Sequence, residues 1–292
     1  MAPQEYETTR PQPSLRTPGV QSGNHPRNRA RFRSSRIGVE ISRSRFLAIA
    51  IAVFVVLGIL WAVATGTGMV KPIFLPTPGS VIARLHQLTV EGTLWTDLGA
   101  SLYRIIIGFL IATAVAIPMG LVIGNFADWE AAVEPLVDFI RYMPVVAFVP
   151  LTILWTGTGD IQKFTIIFIG TFFQQVLMVM DNVKRVPRDF IGLGRTLDLS
   201  DRKILMRIVM PSALPGIWDT MRITLGWAWT WLVLAELVAA TSGLGYRITV
   251  SQRYFQTDTI IGYILLLGVL GLITDQVMKA IGKVLFRYER KA

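Results

Sequence analysis

The sequence predicts an all-α integral membrane protein with about six transmembrane helices. Three observations carry this reading. Of the 292 residues, 52% are hydrophobic and only 16% charged, and the mean hydropathy is +0.51; soluble domains carry roughly a quarter charged residues. Apolar runs of about 20 residues, enough to cross a bilayer as a helix, recur along the chain. The densest positive charge lies between these runs, at Lys184-Arg185-Val186-Pro187-Arg188 and from Arg195 to Lys203. Charge at that density belongs outside hydrocarbon.

Residues 1–45 are rich in Pro, Ser, Thr, Asn and Arg. They hold nine Arg against Glu5, Glu7 and Glu40, a net of six of the chain's ten positive charges. Such a stretch is expected to be a disordered, basic cytoplasmic tail. The run Phe46–Thr65 is long enough to span, and the charged region before it is too long for a signal peptide, so it reads as an uncleaved first span. It opens a transmembrane region over 46–292. The connection 67–97 contains Phe74-Leu75-Pro76-Thr77-Pro78-Gly79-Ser80, a turn-rich entry to a short helix with Val81, Leu85 and Leu88 on one face. Further spans are predicted near 98–124, 134–156, 161–182, 215–240 and 260–282. Arg141, Pro144 and Pro150 interrupt the third span, which is therefore expected to be broken or strongly tilted. The basic loop 184–214 and the closing Lys283, Arg287, Arg290 and Lys291 are expected to place both termini in the cytoplasm of a multi-pass membrane protein. Opposite them, Gly243-Leu244-Gly245-Tyr246 predicts a turn or re-entrant feature.

Membrane-embedded polar residues are the candidates for function. On the fifth span Trp218, Arg222, Trp229 and Glu236 share one helical face, with Trp227 and Trp231 opposite. Ionisable residues in a span face protein or a wet cavity, so Trp229 and Glu236 are candidates to line a pathway. A structural contact between helices is the competing role for Glu236. On the fourth span Phe164, Phe168, Thr171, Gln175 and Met178 share a face, with Gln174 beside it. Thr171, Gln174 and Gln175 either line a passage for a polar solute or bridge helices. Gly120 and Gly124 form a small-xxx-small element for close packing within or between subunits. Asp275 and Lys279, four residues apart, read as a structural pair.

The residue inventory excludes several chemistries. There is no Cys and there are two His, so thiolate sites are absent and histidine-based ones have little to work with. No phosphate-binding G-x-x-x-x-G-K-[ST] loop occurs, because Gly282-Lys283 is followed by Val284. The chain is therefore not expected to bind ATP in such a loop, and no cofactor is expected on it. A membrane enzyme using Glu236 and Asp275 is a rival reading, but neither has a catalytic partner near it in sequence. A third reading is a membrane-tethered protein whose Arg-rich tail binds nucleic acid or lipid; contact with anionic membrane lipid is the simpler account of that tail, without nucleic acid.

The loop 184–214 is expected to hold a helix over 188–203, begun by Pro187, with Ile191, Leu193, Leu197 and Leu199 apolar and Arg188, Arg195, Arg202 and Lys203 flanking them. An amphipathic helix outside the bilayer lies on the membrane or docks in a groove of a partner. Arg195-Thr196-Leu197-Asp198-Leu199-Ser200, with Ile208-Val209-Met210-Pro211-Ser212-Ala213-Leu214-Pro215-Gly216-Ile217, resembles the EAA loop of permease subunits of bacterial ABC importers. Phe74-Leu75-Pro76-Thr77-Pro78, Ser101-Leu102-Tyr103-Arg104, Ile117-Pro118-Met119-Gly120, Ala235-Glu236 and Gly243-Leu244-Gly245-Tyr246 extend the resemblance over about 72–290, to the nitrate/sulfonate/taurine/bicarbonate group. The loop departs from the pattern where Gly192-Leu193-Gly194 replaces Glu-Ala-Ala and Asp198 replaces the usual Gly.

The resemblance implies a type I importer (MetI-like) helix bundle, a dimer of two permease copies around one passage for a small-molecule substrate. It also implies an extracytoplasmic solute-binding protein, and cytoplasmic ATPase subunits holding ATP and Mg. Arg188, Gly192, Leu193, Arg195, Leu197, Asp198 and Arg202 would contact the ATPase. Arg104, Arg141 and Lys163 favour an anionic solute and Glu236 a cationic or neutral one, so the substrate's charge stays open.

Overall fold

A computed structural model describes residues 41–287, and among these every regular element is helical. All but the last few residues of the expected tail lie outside the described residues. The chain divides into two units within the first helix, at Val55 and Val56; the packing described below is that of the second.

Helix α1 (Arg43–Gly66) is followed by the short α2 (Pro78–Val90). The latter starts where the sequence says it should. Thr77 caps it by accepting the Ser80 N–H at 3.2 Å, and Pro78 occupies the first turn, where no N–H is needed. Val81 and Leu88 are buried, with Leu85 packed beside them.

The centre of the bundle is α3 (Thr93–Asn125) against α6 (Asp160–Lys184). Gly108, Ala112, Ala116, Gly120 and Gly124 recur every four residues on α3 and so share one face. That stripe lets the two backbones approach closely. A β-carbon added at Gly108, Gly120 or Gly124 would lie 3.0, 2.6 or 2.8 Å from the β-carbon of Ile167, Val179 or Val183. The order of these contacts makes α3 and α6 parallel. The small-residue element thus packs inside the subunit.

The expected third span is two helices, α4 (Ala127–Arg141) and α5 (Val149–Thr156), set at 87°. Pro144 has no N–H for the ladder and drives Met143 out of helical geometry. Pro150, in contrast, sits harmlessly in the first turn of α5.

The predicted single helix over 188–203 is also two. The first, α7 (Arg188–Thr196), begins after Pro187 as expected; the second, α8 (Asp201–Ile204), begins after a sharp turn. Asp198 adopts the left-handed conformation at φ 53°, the Leu199 N–H reaches back to the Gly194 carbonyl at 3.1 Å, and the Asp198 N–H reaches that of Arg195 at 3.0 Å. This is a helix stop that glycine ordinarily makes, and it explains why glycine is usual at position 198. Asp198→Gly should leave the turn intact or stabilise it by about 0.5 kcal/mol, whereas Asp198→Val should cost ~1–2 kcal/mol through its β-carbon. Limited tryptic cleavage at Arg195 and Arg202 should be slow in the first variant and fast in the second.

Beyond α8 the chain stays helical, so 201–214 is not loop. A wider π turn, Leu205–Val209, leads into α9 (Met210–Ala239). The wider turn lies just before Pro211, which has no N–H for an α-helical ladder. A 47° bend separates α9 from α10 (Leu244–Arg253), and α11 (Thr257–Leu285) closes the bundle. By length and apolarity α1, α3, α6 and α11 can each cross a membrane, and the two bent pairs raise the total to six when each is counted as one crossing.

Candidate functional site

Three polar regions emerge from this frame: a buried cluster at one end, an open seam along α6 and α9, and the surface of α7 at the opposite end.

The cluster forms where α3 and α6 begin and α9 ends. Arg104 reaches Asp160 through Nε at 2.7 Å and Glu236 through Nη1 at 2.8 Å. The Glu236 carboxylate also accepts the Ser101 hydroxyl at 2.9 Å and the Gly245 N–H at 2.9 Å. Asp97 accepts Arg247 at 2.8 Å, the Tyr263 hydroxyl at 3.0 Å and the Gly243 N–H at 3.1 Å. Lys163 donates to the carbonyls of Thr158 and Ala239. The named carboxylates and cations balance in charge, and side chains from five helices hold one another in place. The free N–H groups at the start of α10 are satisfied by Asp97, Ser101 and Glu236. Gly243, at φ 116°, lies directly over Glu236, where a β-carbon would collide with Oε1. The predicted turn at 243–246 is therefore a cap built around this carboxylate.

Glu236 is 1% exposed and Trp229 is 6% exposed. Trp229 packs with Leu88, Phe109 and Tyr263, and its Nε1 donates to Thr274 at 3.3 Å. Gln175 bridges Thr113 on α3 and Thr224 on α9 at 3.2 and 2.9 Å, and the Thr171 hydroxyl bonds the Ile167 carbonyl of its own helix. All four are therefore buried inside the subunit and line no open surface of it, and all but Thr171 bond to another helix. Within the subunit the stretch of the fifth span that carries Trp229 and Glu236 is buried, and the side that carries Trp227 is exposed. Periodicity separates two faces, but not which of them meets a partner helix.

The opposite face of α9 is the open one. Trp227 and Trp231 line a groove of about 460 Å³ with Gly170, Phe173 and Gln174 of α6 and Arg141 to Val145 at the α4–α5 break. Gln174 is thus the sequence-nominated residue that faces open space. Trp231 lies against Gly170, where a β-carbon would collide with its ring. Arg141 pairs with Asp138 at 3.0 Å and lies over the Tyr142 ring at 4.6 Å. Along the same seam, towards α7, a second pocket of about 310 Å³ is lined by Asp181, Asn182, Arg185, Asp219 and Thr220. Tyr142, Trp227, Trp231 and these polar residues were missed as lining residues, because the signal is a broken helix opposite a glycine. Arg104 and Lys163 are consumed by the buried cluster, which leaves Arg141 as the sequence-nominated cation on the groove.

On α7 and in the turn after it the apolar residues divide. Ile191 and Leu199 pack towards the bundle, while Phe190, Leu193 and Leu197 are 49, 59 and 65% exposed. Gly194 is buried against Ile204 and Ile208. Arg188, Gly192, Arg195, Asp198 and Arg202 are exposed around the stripe. Phe190, which sequence reading did not single out, completes an i, i+3, i+7 apolar surface.

The profile of the family described as "Binding-protein-dependent transport system inner membrane component" matches residues 112–287, more than half the chain. The chain belongs to that family. It is the permease of an ABC importer, of the nitrate/sulfonate/taurine type, a multi-pass inner-membrane transport subunit whose ATPase activity resides on a separate chain. The permease is 36% identical over 232 residues to a Brucella abortus (strain 2308) protein named "Probable ABC transporter permease protein", covering 80% of this chain and 92% of that one. It is 31% identical to the taurine transport system permease protein TauC of Escherichia coli (strain K12), covering 78% of this chain and 84% of the relative. The bicarbonate transport system permease protein CmpB of Synechocystis is 28% identical, with 77 and 84% covered. In fold the permease is similar to a chain of the inward-facing MetNI methionine ABC transporter, with TM-score 0.57 and 20% identity over 63% of this chain and 92% of that one. Asp275 pairs with Lys279 at 2.7 Å and Arg222 at 3.6 Å, and Glu236 is fully partnered, so neither supports the rival reading as an enzyme.

Proposed function

We propose that the permease docks on its ATPase through Phe190 and Leu193 of α7 and Leu197, which caps its C-terminal end. The observation that carries this is the exposed apolar stripe itself. Such a surface, on a helix beyond the membrane spans, asks for a groove on a partner. Arg188, Arg195 and Arg202 rim it and would find carboxylates there, and Asp198 holds the turn that ends the helix. ATP and Mg would be held by the ATPase. ATP-driven closure of two ATPases would then rock two copies of the permease about one another.

In this reading the passage runs between the copies along the α6–α9 seam, with Gln174, Trp227 and Trp231 facing it and both chain termini in the cytoplasm. The transported solute is a small polar compound of the kind that the taurine and bicarbonate relatives are named for, delivered by an extracytoplasmic solute-binding protein. Arg141 at the groove favours an anion.

Leu197→Asp tests the docking. The side chain is exposed in the subunit, so the variant should insert and fold. Losing the burial of one leucine costs about 2 kcal/mol, roughly thirtyfold in affinity. Co-purification with the ATPase and uptake should therefore both fall. Gly192→Glu, at an exposed helical position with open space around it, should be tolerated. A Leu197→Asp permease that assembles and transports normally would remove α7 as the coupling element.

A further inference from the structure

A pocket of about 230 Å³ between α9 and α11, at the end of the bundle that carries α7, belongs neither to the seam nor to the docking surface. Its wall is apolar and rigid. Trp218 lies on Gly282, where a β-carbon would stand 2.7 Å from the indole Nε1. That Nε1 donates to the Met278 carbonyl at 2.9 Å, the ring meets Phe286 edge-on at 6.1 Å, and Pro215 completes the wall. Glycine at 282 thus leaves a depression roofed by tryptophan.

The rim is cationic. Lys279, Lys283 and Arg287 recur every four residues at the end of α11 and the turn after it, which sets them along one side. Lys279 is held by Asp275, but Lys283 and Arg287 have no carboxylate partner among the described residues. Asp219, the acidic residue of the rim, is engaged by Arg222 at 3.4 Å. The same turns of α11 expose Ile281, Val284 and Leu285. Cations without a carboxylate among the described residues, directly beside exposed aliphatic surface and a part-buried tryptophan, describe the level at which a membrane helix leaves hydrocarbon for the headgroups. A soluble partner would match the charge and leave the aliphatic surface uncovered. A phospholipid matches both.

We propose that this pocket is a binding site for an anionic phospholipid. Lys283 and Lys279 take its phosphate, Trp218 and Phe286 take the glycerol and upper acyl region, and the lipid bridges the ends of α9 and α11.

Native mass spectrometry of the detergent-purified full-length permease, titrated with phosphatidylglycerol or separately with phosphatidylcholine, tests the site. Phosphatidylglycerol should be retained at one per chain at concentrations where phosphatidylcholine is lost. Lys283→Gln should weaken retention about fivefold, and Lys279→Gln with Lys283→Gln about twenty-five-fold; Lys203→Gln, on α8, should leave it unchanged. Should the double variant unfold in zwitterionic detergent, the single Lys283→Gln, which breaks no ion pair among the described residues, carries the same contrast. Equal retention of the two lipids, or retention indifferent to Lys283, overturns the proposal. So does a double variant that keeps phosphatidylglycerol but loses the ATPase, since the lysines would then serve a protein contact.

Discussion

Glu236→Ala is expected to lower the stability of the permease by about 3–5 kcal/mol, the cost of removing one partner from a buried ion pair. Arg104 would keep Asp160, which is partly exposed, but lose the buried carboxylate 2.8 Å from its Nη1. The Gly245 N–H would lose its acceptor at the start of α10, and the Ser101 hydroxyl would lose Glu236 as its acceptor. The elbow between α9 and α10 should loosen with it, because Asp97 and Ser101 alone would then cap α10. Denaturant unfolding of the purified protein measures the loss. Replacing Arg104 and Glu236 together by methionine should cost clearly less than the two single changes combined, since no unpaired charge then remains at the pair. A Glu236→Ala protein as stable as the parent would show that the cluster is not what holds this end together.

Gly120→Val is expected to cost at least about 3 kcal/mol, at the upper end of overpacking penalties. The new β-carbon would fall 2.6 Å from Val179 Cβ and 2.8 Å from the Val176 carbonyl, so a main-chain atom as well as a branched side chain must move. Neither neighbour can swing aside, and α3 and α6 would have to separate along their length. Gly226→Val, on the same kind of transmembrane helix with open space around its α-carbon, is the matched control and should change stability by under about 1 kcal/mol, since helix propensity favours valine over glycine. Thermal unfolding of both variants in the same detergent decides the matter. Similar values for the two would mean that α3 and α6 do not approach as closely as these contacts require.

Much of the architecture was legible in the residues because the bilayer restricts the alternatives. Spans longer than about 18 apolar residues, the turn at Thr77-Pro78, the start of α7 after Pro187 and the Asp275–Lys279 pair all follow from local rules of length, capping and helical spacing. The break in the third span was also readable, since Pro144 removes a donor wherever it stands. The stop inside 188–203 was not. Asp198 tolerates a left-handed turn without demanding one, so the helix reads as continuous until Leu199 and Gly194 are seen bonded.

What the sequence determined by itself was the class: a membrane-spanning bundle, without a phosphate-binding loop of its own, carrying the loop pattern of an importer's permease. Those properties depend on hydropathy, charge and short-range motif. What only the tertiary structure decided was which face of each span meets protein and which meets open space. Glu236 and Trp229 share a face with one phase, and Trp227 and Trp231 share another, but amphipathic phase is symmetric with respect to the partner. Asp97, Ser101 and Arg104 on α3, more than 130 residues earlier in the chain, make the Glu236 side the interior. A buried charge is stable only where its counter-charge arrives from another element, and the element that brings it cannot be read from the helix that needs it.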